Sequence, residues 1–261
     1  MKDREKEYSV MTEKEEWNVI RTDIPVPRDT IYTRYIKRLL DVVLSGLGII
    51  CLSPLLLIIC ILELVYHGRP VLYVSKRPGK DGKLFDMYKF RSMTNETDEN
   101  GELLPASNRL TAFGRFIRRT SMDELAGLFN IFKGNMSIIG PRALLPAYLP
   151  LYTERHKYRH AVRPGLACVP MNGSLRIDPE NWTWNAQFES DIYYVEHCSF
   201  LLDLHMIPRI IKMAFSGSEM RTNASRMGYR GDNLTDTRYR DEIAEVEETR
   251  SKAGDITEKR Y

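Results

Sequence analysis

Two adjacent carboxylates, Asp123 and Glu124, sit in the stretch Arg118-Arg119-Thr120-Ser121-Met122-Asp123-Glu124-Leu125. Beside two arginines, they suit chemistry at phosphorus. An aspartate that attacks phosphorus forms an acyl phosphate and splits one displacement into two. Its neighbour Glu124 can hold a divalent cation, because magnesium takes few carboxylates together with phosphate oxygens. Arg118 and Arg119 can offset phosphate charge. The same residues also have a plainer reading. Ser121 and Glu124 show the Ser-x-x-Glu spacing of a capping box at a helix start, where Asp123 complements the helix dipole. Both readings expect a helix from near Ser121 through Phe132 that stops at Gly134. The amides at its start would favour a phosphate and keep Asp123 ionised.

The elements that must position this stretch begin with an apolar segment, Leu39 to Val65, uncharged between Asp41 and Glu63. A run of about 20 apolar residues can cross a bilayer, and with no polar face it suits a membrane better than a soluble core. Ser53-Pro54 interrupts it: Pro54 lacks an amide hydrogen and meets the carbonyl of Ile50, which predicts a kink. Basic residues flank both ends, Arg34, Lys37 and Arg38 before and Arg69, Lys76 and Arg77 after. A crossing helix should show an imbalance. A broken helix that returns to its own face is therefore favoured over a spanning one, its kink stabilised by Ser53 or by neighbouring protein.

Val71-Leu72-Tyr73-Val74-Ser75 and Lys83 to Tyr88 read as two strands around the turn Pro78-Gly79-Lys80-Asp81-Gly82, a hairpin. Asn95 to Asn108 is polar and reads as a loop; Thr111 to Arg119 has the spacing of a helix. Two later segments, Leu144 to Tyr152 with the basic residues Arg155 to Arg159, and Phe200 to Phe215 with His205, Arg209 and Lys212, suit an anionic membrane surface. Packing on the domain core fits each equally well.

The 261 residues suffice for one domain plus tails, and 43% are apolar. A net charge of +3 without a basic stripe argues against a nucleic-acid partner. The four cysteines form no Cys-x-x-Cys, so neither zinc nor a disulfide framework is expected. The start has no secretory signal. The lead to about Thr30 is polar, and the chain from Gly217 onward is charged and reads as a solvated tail, with a short helix expected near Asp241 to Lys252. No internal repeat is found.

Four blocks in order resemble the bacterial sugar transferase family, the monotopic phosphoglycosyl transferases. They are Lys37-Arg38-Leu39-Leu40-Asp41 leading to Ser53-Pro54; Tyr88-Lys89-Phe90-Arg91-Ser92-Met93; Arg119 to Leu125; and Lys133-Gly134-Asn135-Met136-Ser137-Ile138-Ile139-Gly140-Pro141-Arg142. Arg163-Pro164-Gly165 and Phe188-Glu189-Ser190-Asp191-Ile192-Tyr193-Tyr194-Val195 add a fifth. The resemblance implies an α/β (α+β), mostly helical fold: a polar lead over 1–34, a re-entrant membrane helix over 35–66, a small cytosolic catalytic domain over 67–216 with interfacial amphipathic helices, and a charged tail over 217–261. It implies that Asp123 becomes phosphoglycosylated, that Glu124, with Asp123, binds Mg2+, and that Arg142 contacts phosphate. Arg118, Asp191, Lys89 and Arg91 are implied as further substrate contacts, Lys89 and Arg91 also reading as polar residues of the hairpin edge. The implied substrates are a nucleoside diphosphate sugar, with uridine the expected base, and undecaprenyl phosphate. Membrane lipids and downstream glycosyltransferases are implied partners. The implied setting is the cytoplasmic face of a bacterial inner membrane, at the start of exopolysaccharide, capsule, O-antigen or glycoprotein glycan assembly.

Two departures stand out. Leu125-Ala126-Gly127 replaces the family's Leu-Pro-Gln, and Leu166 to Met171 replaces its Thr-Gly-Trp-Ala-Gln segment. Gly127 should cost the helix about 1 kcal/mol. These departures support the competing expectation, a catalytically weak membrane scaffold of the same fold that binds lipid phosphate or partner enzymes. Trp182 and Trp184 can stack on a base or sugar, or anchor the core or interface.

Overall fold

A computed structural model describes residues 20–167, 171–172, 175–176 and 183–215. The polar lead before residue 20, Cys168, Trp182 and the charged tail lie outside these residues.

A single helix, α1 (Lys37–Tyr66), preceded by a π-helical turn at Tyr32–Ile36, organises the molecule. Its helical turns continue through Pro54. The Ser53 hydroxyl explains how: it donates to the Ile50 carbonyl at 2.8 Å, the acceptor that Pro54 leaves without an amide. Only 17% of the most apolar window of this helix is buried, and Leu39, Leu47, Ile50, Leu57, Ile61 and Val65 face outward. A core helix of a soluble protein would be mostly covered. This one fits membrane association.

Its covered face carries Asp41, Ser45, Leu56, Ile59 and Glu63. Near the start, Asp41 accepts the Ser137 hydroxyl (3.0 Å) and the Ile138 amide (2.9 Å). Arg38 donates to the carbonyls of Ile131 and Phe132, a cation at the end of a helix where partial negative charge collects. In the middle, Leu56 and Ile59 pack on Phe90, Ile117 and Ala126. At the far end Glu63 lies 2.8 Å from His67 Nδ1, and His67 Nε2 lies 2.8 Å from the Thr111 hydroxyl.

The expected hairpin is present, slightly longer than its sequence suggested: β1 (Leu72–Pro78) pairs antiparallel with β2 (Leu84–Phe90), from Leu72 opposite Phe90 to Pro78 opposite Leu84. Helix α2 (Ala112–Arg119) starts where Thr111 accepts the Gly114 amide at 2.8 Å. Gly114 has no room for a side chain, because a Cβ there would lie 1.9 Å from the Ser92 carbonyl oxygen. Helix α3 (Gly127–Lys133) ends at Gly134 in the left-handed region, as expected. Its Asn130 imitates a strand edge: Oδ1 accepts the Tyr88 amide (2.9 Å) and Nδ2 donates to the Asp86 carbonyl (2.6 Å). That fixes β2 against α3. Short parallel strands β3 (Ser137–Ile139) and β4 (Gly165–Ala167) pair next, followed by β5 (Met171–Asn172) with β6 (Leu175–Arg176).

Helices α4 (Trp184–His197) and α5 (Phe200–Phe215) complete the described chain. Trp184 is buried with Tyr152 and Phe188, so of its readings the core one holds. Of the basic run after Tyr152, Arg155, His156 and Arg159 belong to the interior, while Lys157 is exposed. Arg155 and Arg159 are each 2% exposed, and His156 is fully buried. Arg155 forms a bidentate pair with Glu189 on α4 and also holds Asp23, so these cations answer acidic partners rather than a lipid surface. Helix α5 differs. Asp203 faces inward, bonded to Tyr32 and Lys37 beside the start of α1, while Phe200, Leu201, Leu204 and Ile207 are exposed.

Candidate active site

Asp123 and Glu124 lie on a single 3-10 turn, Met122–Glu124, between α2 and α3. Ser121 precedes it with φ 60° and ψ 17°, and makes no capping hydrogen bond. The capping box and the helix start at Ser121 are therefore corrected: the helix proper starts six residues later, at Gly127. The chain must reverse after α2, whose last carbonyls the Thr120 hydroxyl ties off. A left-handed residue makes that turn, at a cost of about 1–2 kcal/mol for a residue with a Cβ. The Ser121 amide donates instead to the Arg118 carbonyl at 3.2 Å, and the Glu124 carboxylate is engaged elsewhere.

That engagement builds the site. Lys89 Nζ stands 3.0 Å from Glu124 Oε1, both side chains largely covered, and Arg142 Nη2 stands 3.5 Å from the same oxygen. Lys89 is aimed by β2, whose register Asn130 sets. Arg142 follows β3, and its backbone pairs with Gly165 on β4. One carboxylate thus joins a strand, a turn and a loop that lie 35 and 18 residues apart in sequence.

The other expected contacts divide. Arg118 stays at the rim, its Nε donating to the Ser92 hydroxyl at 2.7 Å. Arg91 is buried, and its Nη1 donates to the carbonyls of His67, Gly68 and Pro70. It clamps the link between α1 and β1, a different role from an open anion contact. Asp191 is 1% exposed and accepts Arg159 Nη2 at 2.6 Å and Nε at 2.9 Å. Arg159 in turn donates to the Arg142 carbonyl at 2.8 Å. Asp191 therefore acts on the site through Arg159 and the Arg142 backbone. Arg159, Asn130 and Asp41 do this positioning and carry no sequence signal that would single them out as such.

The departures from the family pattern meet in space. A Cβ on Gly127 would come within 2.8 Å of Leu166 Cδ1, so the missing side chain in one segment makes room for the altered residue in the other. Magnesium takes few carboxylates together with phosphate oxygens, and Asp123 and Glu124 are carboxylates of that kind, with Glu124 Oε1 ion-paired to Lys89 and Arg142. Two neighbouring carboxylates share one turn, no third metal-binding residue joins them among the described residues, and the remaining positions suit phosphate oxygens.

A family model described as bacterial sugar transferase matches residues 32–217. An uncharacterized sugar transferase of Bacillus subtilis, EpsL, is 43% identical over 173 residues, covering 66% of this chain and 83% of that one. A UDP-N-acetylgalactosamine-undecaprenyl-phosphate N-acetylgalactosaminephosphotransferase of Aeromonas hydrophila is 31% identical over 189 residues, 70% of this chain and 44% of its own. An undecaprenyl-phosphate galactose phosphotransferase of Salmonella typhimurium is 32% identical over 199 residues, 69% of this chain and 40% of its own. The chain spans less than half the length of these last two.

Proposed function

Because the chain belongs to the bacterial sugar transferase family, and is thus a transferase, we propose that it moves a sugar 1-phosphate from a nucleoside diphosphate sugar to undecaprenyl phosphate. The relatives named for undecaprenyl-phosphate sugar phosphotransfer support this acceptor, and the Aeromonas relative named for UDP-N-acetylgalactosamine supports uridine in the donor. The observation that carries the reading is the convergence of Lys89 and Arg142 on the Asp123-Glu124 turn, beside an apolar helix.

In the first half-reaction an Asp123 carboxylate oxygen attacks the sugar-linked phosphorus. A P–O bond of the diphosphate breaks, and nucleoside monophosphate leaves with that bond's electrons. In the second, an oxygen of the polyprenyl phosphate attacks the same phosphorus and Asp123 returns as a carboxylate. Lys89 and Arg142 offset the charge that builds on the phosphate oxygens. Glu124 and Asp123 would hold Mg2+, which supplies Lewis acidity toward those oxygens. Asp191 and Arg159 keep Arg142 in place.

The membrane helix is read as re-entrant, with the catalytic part on the cytoplasmic face. Its two ends support this. Asp41 near the start accepts the Ile138 amide, and His67 at the end, held by Glu63, bonds Thr111, both on one catalytic domain. A helix crossing the bilayer would place these polar contacts on opposite sides of it.

The test uses the purified full chain with magnesium and a panel of nucleotide sugars. Release of nucleoside monophosphate is expected from at least one, with a phosphosugar adduct on Asp123 detectable by mass spectrometry. Asp123→Asn should lose both. An adduct that persists in Asp123→Asn removes the nucleophile, and a purified chain that binds polyprenyl phosphate without releasing monophosphate from any donor favours the scaffold alternative.

A further inference from the structure

The hairpin face that carries Lys89 holds more polar chemistry than the reaction above uses. Tyr73 lies opposite Lys89, Ser75 opposite Met87 and Arg77 opposite Phe85, and residues opposed across antiparallel strands share a face. Phe85 and Met87 take that face into the core, against Ile131, Met136 and Ala143. Ser75 Oγ and Arg77 Nε are buried on it, and neither has a hydrogen-bond partner. Arg77 also forms no ion pair among the described residues. Its charged neighbour is a second cation: burial foremost, and the nearby Arg142 charge, hold the Arg77 guanidinium below the ordinary arginine range, against Tyr73 and Tyr148.

A partly buried guanidinium that faces another cation and lacks a carboxylate is costly to keep. A buried hydroxyl without a partner adds to that cost. Two such donors at alternate positions on one strand face, one of them within the field of the site cation Arg142, match an oxyanion that would accept from both. We propose that Arg77 and Ser75, together with Arg142, form a phosphate-binding subsite, with Arg77 Nε–H and the Ser75 hydroxyl donating to phosphate oxygens. The phosphate belongs either to the diphosphate of the soluble donor or to the head of the polyprenyl acceptor. The choice of these two molecules rests on the phosphotransfer reading; the affinity for phosphate does not.

The test is thermal unfolding of the full chain in detergent, with inorganic pyrophosphate in one arm and a short-chain polyprenyl phosphate in the other. Wild type should be stabilised by at least one probe, and which one identifies the source. Arg77→Gln should bind that probe roughly tenfold to a hundredfold more weakly, the loss expected for a charged hydrogen bond. Its ligand-free midpoint should equal or exceed that of wild type, since a structural cost has been removed. Ser75→Ala should behave alike with a smaller loss of affinity. A lowered ligand-free midpoint in Arg77→Gln, an undiminished shift, no shift in wild type, or failure of both Arg77→Gln and Arg77→Met to fold would each overturn the subsite. Binding needs no turnover and can be read in Asp123→Asn. Absent monophosphate release beside an intact shift would sink the transfer reading and leave the subsite standing.

Discussion

Asp191 and Arg159 show how a residue can govern a site that it does not enter. Their pair is buried, and removing the charge of one strands the other, a change that costs about 3–5 kcal/mol in buried pairs. Asp191→Asn should therefore lower stability on that scale in chemical denaturation, and impair transfer by releasing the Arg142 carbonyl from Arg159. His160 makes a second residue-scale prediction. Burial, with the neighbouring Arg159 charge, pushes its imidazole down to about 4, against the bond to the Gly79 carbonyl. The folded value lies below the unfolded one of about 6.5, so the unfolded chain takes up the proton first. The stability contribution is complete above about pH 6.5 and is lost as pH falls toward 4, by about 3 kcal/mol at most. His160→Gln should flatten the acid side of the stability curve, measured by tryptophan fluorescence in detergent between those limits.

Among the elements, the hairpin and α2 were legible because their signals are local. A Pro-Gly-Lys-Asp-Gly turn between apolar runs, and Phe113, Phe116 and Ile117 at helical spacing, need no distant partner. The start of α3 was misread for the opposite reason. Ser-x-x-Glu spacing is satisfied in sequence, but Lys89 and Arg142 compete for Glu124 from elsewhere in the fold. For the basic residues Arg155 to Arg159 the sequence left membrane surface and core packing open, since the Glu189 and Asp191 carboxylates that draw Arg155 and Arg159 inward lie more than thirty residues on. Two glycines test the packing between elements. Gly114→Ala puts a Cβ onto the immovable Ser92 backbone and should cost several kcal/mol, near or beyond the upper end of the ~1–3 kcal/mol typical of overpacking. Gly127→Ala meets only the flexible tip of Leu166. Its gain in helix propensity, below about 1 kcal/mol at a helix start, should nearly cancel the shift of that side chain. Thr111 joins α2 to the end of α1: Thr111→Val should lower stability by about 1–3 kcal/mol, and Thr111→Ser should restore most of it.

At the scale of the whole molecule, the apolar helix lies along the catalytic domain with its other side uncovered. Labelling of single cysteines in intact cells should reach the lead before α1 and the chain after Val71 from the cytoplasm alone. An N-terminus labelled from outside would contradict the re-entrant arrangement. The overall class and the membrane segment were legible from composition and motif order. The helical turns that continue past Pro54 rest on one hydroxyl finding one carbonyl, the stabilising role expected of Ser53.

On the re-entrant course proposed above, with both ends of α1 moored to the same body, its length would have nothing to match across the bilayer. A transmembrane anchor tilts or strains when hydrocarbon thickness changes, at fractions of a kcal/mol per Å. A re-entrant α1 would hold the catalytic centre at a fixed depth from the near surface, so turnover in vesicles of thin and thick lipids should stay almost level where a spanning enzyme would peak.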